Sequence, residues 1–298
     1  AIYSEKKLKK IIGLGVDAFR INFSHDITGV KKIISRIRKL ENKLNKRIAV
    51  IADLQGIKLR IGKISSDKLR IKHQQKFTFD TNKKIGNNLR VYFPYPFIIN
   101  KIKKGSKILL DDGKFIFKVI KKNKKSLITK CQSTNCILSS NKSVHIPNIN
   151  ISLNRLTKKD KKDISIAKRI GCNWIALSYI QNSNLIKETR KLIKSDIGII
   201  SKIENKIAIK NIKEIINESD AIMIARGDLA IDIGHSEVPR VQLELIKKCE
   251  INLDDDGRIR IDNSVMSKLK PIPYGNHCEE IIIKDKNLMG FRARVSGG

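Results

Sequence analysis

Two hydrophobic periodicities alternate along this chain. Compact runs rich in Ile, Val and Ala are separated by longer stretches in which apolar residues return every third or fourth position, the marks of buried strands and amphipathic helices. Ser4 is placed to cap a helix over roughly 5–14, with Gly15 just past its end. A strand leading to Arg20 follows, then a helix near 29–45 and a strand ending at Asp53. From about 58 to 153 the rhythm changes. The segments 69–71, 76–79, 89–93, 107–110 and 115–119 read as short strands, and Asp111-Asp112-Gly113-Lys114 suits a hairpin turn. Helix–strand alternation resumes over 157–170, 174–179, 183–194, 197–203, 207–217 and 221–227, and stops near Cys249–Glu250.

Short strands alternating with helices imply parallel strands joined by crossover helices, an α/β class. The expected architecture is an incomplete TIM-type (β/α) barrel with an inserted β-rich domain. Its boundaries are 1–57 and 154–249 for the two parts of the barrel, 58–153 for the insert and 250–298 for an unrelated tail. Only about five of the eight strands of a closed barrel are accounted for, so the expectation includes a parallel sheet with unpaired edges.

Four of the apolar runs end abruptly in polar residues. Ala18-Phe19 leads into Arg20-Ile21-Asn22-Phe23-Ser24-His25, and 48–52 leads into Asp53. The run 197–200 leads into Ser201-Lys202-Ile203-Glu204, and 221–225 into Arg226-Gly227-Asp228. Barrel enzymes place their active sites at the carboxyl ends of the strands. Cations and hard oxygen ligands gathered there are the set needed to hold a phosphate and two metal ions.

Charge adds a second constraint. The 298 residues carry a formal net charge of +33. The lysines are spread over every helix rather than gathered into one arm or stripe, and Ile is also very abundant. The charge therefore reads as a compositional bias of the coding sequence more than as a dedicated nucleic-acid surface, although such a field attracts phosphorylated small molecules. Residues 250–298 hold eight Lys or Arg against eight Asp or Glu, so residues 1–249 carry the whole excess. Five Cys at unrelated spacings, with no CxxC pair, fit reduced thiols and a cytoplasmic setting. No apolar run approaches the ~20 residues a membrane span needs.

The segments Arg20-Ile21-Asn22-Phe23-Ser24-His25, Ala52-Asp53-Leu54-Gln55-Gly56, Leu110-Asp111-Asp112-Gly113, Ser201-Lys202-Ile203-Glu204-Asn205 and Ala225-Arg226-Gly227-Asp228-Leu229 resemble, in order and spacing, the successive motifs of pyruvate kinase. The resemblance covers about 1–249. It implies phosphoryl transfer from phosphoenolpyruvate to ADP, giving pyruvate and ATP, with Mg²⁺ and K⁺ as cofactors. It implies that Lys202 and Arg20 are catalytic and contact the transferring phosphoryl group, and that the Gly227 and Asp228 amides face the substrate carboxylate. Glu204 and Asp228 would ligate Mg²⁺. Asn22, Ser24, Asp53 and the Leu54 carbonyl would ligate K⁺. Arg60 and Lys142 would contact nucleotide phosphates, the insert being a mobile lid with Asp112 either facing the active-site mouth or serving as a turn residue. His25 reads as a structural hydrogen-bonder.

The chain departs from the family at Ile57, at Ser178-Tyr179-Ile180-Gln181 and at Ala230. It starts after the family's opening strand, and nothing in 250–298 resembles the later strand whose Thr-Gln motif meets the substrate carboxylate. The regulatory C-terminal domain of the usually homotetrameric family has no counterpart either. The expectation is an impaired fragment with little or no turnover. The segments 264–271 and 285–295 are similar to the N-terminal segment of phage-type tyrosine recombinases, and equally compatible with an unrelated tail. The alternatives are a non-catalytic fusion product and a nucleic-acid-binding protein acting through that tail, nucleic acid not being the expected partner. Asp254-Asp255-Asp256-Gly257 fails the spacing of a Ca²⁺ loop and reads as a polar turn.

Overall fold

The structure is a computed structural model of the 298-residue chain, and the described residues are 4–24, 27–66, 68–147, 149, 155–194, 197–251, 280–283 and 295–296. The chain forms two compact units, Ala1–Ile57 with Leu153–Gly298, and Lys58–Ser152.

The elements run α1 (Glu5–Gly13), β1 (Ala18–Asn22), α2 (Ile27–Leu44) and β2 (Ala49–Asp53). In the second unit come β3 (Leu69–Ile71), β4 (Lys76–Asp80), β5 (Arg90–Tyr92), α3 (Pro96–Lys101), β6 (Lys107–Leu110), β7 (Phe115–Asn123), β8 (Ser126–Cys131), β9 (Cys136–Leu138) and β10 (Val144–His145). The first unit resumes with α4 (Lys158–Arg169), β11 (Trp174–Leu177), α5 (Asn184–Ile193), β12 (Gly198–Ile203), α6 (Lys206–Lys210), α7 (Ile212–Glu218), β13 (Ala221–Ile224), α8 (Arg226–Ile233) and α9 (Val238–Ile251). Two tail segments follow, β14 (Glu280–Ile283) and β15 (Val295–Ser296).

In the first unit β1, β2, β11, β12 and β13 are parallel neighbours, in the sheet order β14-β13-β12-β11-β2-β1-β15. This is the half-barrel expected from the alternating pattern. The expected open edges are corrected. β14 pairs antiparallel with β13 and β15 pairs parallel with β1, so tail segments satisfy edge N–H and C=O groups that would otherwise lie unpaired. Apart from Val295, the two segments with recombinase similarity lie outside the described residues, as do 254–257 and His25.

Strand alternation sorts the sheet's side chains onto two faces. Phe19, Ile21, Val50, Ala52, Ile175, Leu177, Ile199, Ile203, Ile222 and Ile224 join one large core with residues of the helices, among them Leu8, Ile37, Ile164, Ile186, Ile215 and Leu245. The other face has a smaller core of Ala18, Ile51, Ala176, Ile200, Ala221 and Met223, with Trp174 packed against it. Gly198 is the register partner of Trp174, and a Cβ there would overlap the indole ring. Burial on both faces makes such strands read as continuous apolar runs.

Local chemistry explains several departures from the expected elements. Ser4 stands at the N-cap of α1 with extended backbone but makes no side-chain capping bond. Thr157 does cap α4, in a reciprocal capping box with Asp160. The single helix expected over 207–217 is broken at Asn211, whose amide donates to the Gln181 carbonyl at 2.8 Å. The strand expected over 221–227 ends at Ile224, and Arg226 already opens α8.

The second unit is a mostly antiparallel six-stranded sheet, β10-β6-β7-β8-β4-β5, with a small β3-β9 pair. Its core is aromatic. Phe77, Phe79, Phe93 and Phe117 are fully buried, and Phe79 meets Phe77 edge-on with ring centroids 5.4 Å apart. β8, β9, β10 and α3 come in addition to the expected segments. A bulge between Val119 and Lys121 lets β7 run on to Asn123.

Candidate active site

The face of the half-barrel turned from the helices carries the polar strand ends. Counting by two from Ala18, Ile51 and Ile200 places Arg20, Asp53, Lys202 and Glu204 on that face. Lys202 is its centre. The side chain is 7% exposed, and Nζ donates to Asp53 Oδ1 at 3.2 Å and to Ser178 Oγ at 3.0 Å. It lies in ionic contact with Glu204 Oε1 at 3.0 Å without hydrogen-bond alignment. Burial alone would lower the basicity of Lys202, but the adjoining carboxylates of Glu204 and Asp53 outweigh it and hold the ammonium above its ordinary range.

Glu204 is buried, and burial together with the nearby Asp228 carboxylate pushes its acid up. Its Oε2 accepts the Tyr179 N–H at 2.7 Å, while Oε1 has no hydrogen-bond partner. Tyr179 delivers that N–H from a left-handed backbone, φ 57°, an uncommon conformation for a bulky residue. Arg20 Nε is 3.7 Å from Asp53 Oδ2, and its NH1 reaches Met223 Sδ at 3.8 Å. The structure therefore brings Arg20, Asp53, Lys202 and Glu204 together, with Asp228 close enough to Glu204 to disfavour its ionisation.

Asn22 and Asp53 are register partners at the ends of β1 and β2. Asn22 Oδ1 accepts the Ser24 N–H at 2.8 Å, and the Leu54 carbonyl accepts the Ser178 hydroxyl at 2.7 Å. Gly227 and Asp228 lie in the first turn of α8, where helix N–H groups lack intrahelical acceptors. A Cβ on Gly227 would meet nothing within 4 Å, so the main chain is open to a ligand there. Gly56 has a different role. With φ 61°, its Cβ position lies 2.9 Å from the Ser178 carbonyl oxygen, so only glycine fits the chain passing the strand end.

Arg60 and Lys142 belong to the other unit and are neighbours within it. Arg60 NH1 donates to the Asn141 carbonyl at 2.8 Å, and Lys142 Nζ donates to Asp111 Oδ1 at 2.7 Å. Asp111 and Asp112 both have φ 53° in the β6–β7 turn, and Asp112 accepts from Ser143 Oγ at 2.7 Å. Asp112 thus holds a turn together, as one of its two expected readings had it.

Two site residues went unassigned in the sequence reading. Ser178 links Lys202 to the Leu54 carbonyl, and Tyr179 orients Glu204. Their position just after the apolar run 174–177 was the available signal.

The donor set suits a divalent ion of the Mg²⁺ type. Mg²⁺ keeps waters and takes one or two carboxylates plus substrate phosphate. Glu204 presents a buried oxygen without a hydrogen-bond partner beside Asp228. Among the described residues no group of three or more His, Cys, Asp or Glu forms an all-protein cage. Asn22, Ser24, Asp53 and the Leu54 carbonyl supply neutral oxygens and one carboxylate, a set suited to a monovalent cation. No helix among the described residues is long and apolar enough to cross a membrane.

Comparison with known proteins agrees with this arrangement. The family "Pyruvate kinase, barrel domain" matches residues 1–261. Pyruvate kinase of Buchnera aphidicola subsp. Acyrthosiphon pisum is 40% identical over 249 residues, covering 80% of this chain and 52% of that protein. Pyruvate kinase of Clostridium perfringens is 34% identical over 252 residues, covering 83% and 53%. A crystal structure of a pyruvate kinase from Cryptosporidium parvum superimposes with a TM-score of 0.80 at 26% identity, covering 85% of this chain and 54% of that one. The chain thus spans about half the length of the curated relatives it matches. Strand-end chemistry, half-barrel topology and a barrel-domain match over most of its length together place the chain in the pyruvate kinase family.

Proposed function

We propose that this chain carries the phosphoryl-transfer site of a cytoplasmic pyruvate kinase, moving the phosphoryl group of phosphoenolpyruvate to ADP and leaving an enolate that takes up a proton to become pyruvate. The observation that carries the reading is the buried Lys202 ammonium, held charged between Asp53 and Glu204 at the mouth of a parallel half-barrel. Phosphoryl transfer rests on positioning and charge neutralisation. Lys202 Nζ is held by Asp53 and Ser178 beside Glu204, a fixed ammonium whose charge would neutralise the transferring phosphoryl group. Arg20 adds a second positive charge on the same face. The first-turn amides of α8 at Gly227 and Asp228 are donors for the substrate carboxylate. Glu204 and Asp228 would hold Mg²⁺, which supplies charge neutralisation across the phosphates. Asn22, Ser24, Asp53 and the Leu54 carbonyl would hold K⁺, and Arg60 and Lys142 would contact the nucleotide phosphates.

Pyruvate formation from phosphoenolpyruvate and ADP, with Mg²⁺ and K⁺ present, tests the reading. It is measured on the chain and on a chimera joining residues 1–249 to the remaining barrel strands of the Buchnera relative. In whichever turns over, Lys202→Met is expected to lower the rate by roughly a hundredfold or more. Turnover insensitive to Lys202→Met would overturn the role assigned to Lys202.

A further inference from the structure

The insert's sheet lines up four lysines. Lys107 on β6 faces Lys118 on β7, Lys118 faces Lys130 on β8, and Lys130 faces Lys76 on β4, each as a direct register partner. Directly opposed residues lie on one face of a sheet. That face is the outer one here, because the intervening Phe77, Ile108, Phe117, Val119, Thr129 and Cys131 are buried. At a strand spacing of ~4.8 Å the row is about 14 Å long. Such a line of positive charge was not apparent along the chain, where the lysines looked scattered.

Among the described residues no carboxylate is paired with the row. Residues 58–152 contain twenty-two Lys or Arg against four Asp and no Glu, a net +18. The three described aspartates are committed elsewhere. Asp80 is bonded twice to Arg90, Asp111 pairs with Lys142 and Lys114, and Asp112 pairs with Lys58. Like charges placed opposite one another on a sheet are destabilising. Two of these lysines also line a depression of about 510 Å³, with Lys104, Gln74, Gln132 and Gly105 around them. That volume is in the range of small-ligand sites. Its lining combines residues Lys104, Lys118 and Lys130 with the amide side chains of Gln74 and Gln132 and the apolar Val119 and Ile120.

We propose that this face of the insert binds a compact oligophosphate, a small molecule carrying several linked phosphate groups, through Lys104, Lys118 and Lys130 with Lys76 and Lys107 flanking. Concave shape and size favour a small ligand over a nucleic-acid strand. No aromatic side chain lines the depression for base stacking, and the four lysines of the row are fewer than the 6–10 phosphate contacts of a strongly salt-dependent duplex binder. The site is separate from Arg60 and Lys142. Lys107 opens β6, whereas Asp111, the partner of Lys142, follows the far end of that strand. The proposal does not depend on the phosphoryl-transfer reading.

The test is equilibrium dialysis of the full chain against labelled inorganic tripolyphosphate, with and without excess ADP. The expected result is binding that persists with ADP, falls at least tenfold in K118Q/K130Q, and is unchanged in K83Q/K84Q, which removes two exposed lysines elsewhere in the unit. K104Q, in the loop before β6, is expected to weaken binding several-fold and serves if the double variant fails to fold. Loss of binding on adding ADP would assign it to a nucleotide site and overturn the proposal. So would an equal loss in K83Q/K84Q, or displacement of tripolyphosphate by duplex DNA at 0.15 M salt.

Discussion

In the half-barrel unit, Lys202 is 7% exposed and lies within 3.2 Å of Asp53 and 3.0 Å of Glu204. In the insert, Lys76, Lys107, Lys118 and Lys130 stand side by side with no described carboxylate against them. The same residue type meets two opposite electrostatic regimes. Burying an ammonium is costly unless charges and hydrogen bonds compensate it, so the buried lysine is surrounded by acids and a hydroxyl. On an exposed sheet face, water screens the repulsion, and an uncompensated row survives at small cost. A Lys-rich composition fills surface positions without consequence for folding. Counter-charges are needed only where the chain buries a cation, which is why paired acids mark the site more sharply than net charge does.

The strongest way to break this contrast is to remove the buried cation. Lys202→Met leaves Glu204 without its paired cation and Asp53 with Arg20 alone, and is expected to cost about 3–5 kcal/mol of stability, read as a lowered urea midpoint with circular dichroism. Adding Glu204→Gln should return part of that loss, and a strictly additive double variant would show that the two side chains do not interact. A smaller effect comes from two left-handed glycines. Gly56→Ala, with Ser178 oxygen 2.9 Å from the new Cβ, should cost about 1–3 kcal/mol. Gly105→Ala in the insert, where φ is also positive but nothing lies within 4 Å, should cost only the backbone strain, about 1 kcal/mol. Equal losses at the two positions would remove the close approach at Ser178 as a cause. Smallest and opposite in sign, K118Q/K130Q should stabilise the insert by about 0.2–1 kcal/mol by removing facing charges. Thermal unfolding at low salt checks this, and a clear loss would mean the lysine stems support packing instead.

The half-barrel was readable along the chain because its strands are buried on both faces. Their apolar runs are unbroken, so Arg20, Asp53, Lys202 and Glu204 stand out where each run stops. The insert was half-readable. β8 (Ser126–Cys131) was hidden because its inward positions include Thr129, whose hydroxyl donates to the Phe77 carbonyl at 2.7 Å, and its outward ones include Lys130. Ser178 and Tyr179 stood out only as a departure from the family pattern, without a role, for a different reason. One acts by bridging two other strand ends and the other through its backbone N–H, and neither role leaves a residue-type signature. The lysine row depends on cross-strand register, which a bulge in β7 helps set and which no linear pattern displays. The pairing of β14 and β15 with opposite edges joins segments far apart in the chain, beyond the reach of local periodicity.

The contact between Gly198 and Trp174 has an optical consequence. Trp174 is the chain's one tryptophan, and the missing side chain at Gly198 makes room for its ring at the base of the β11–β12 seam. That seam ends, at its carboxyl side, in Ser178 and Lys202. Indole emission in this protein is therefore a built-in reporter of one strand pair. A shift in its wavelength or in its access to a soluble quencher signals parting of the two strands that hold the lysine, without any label attached.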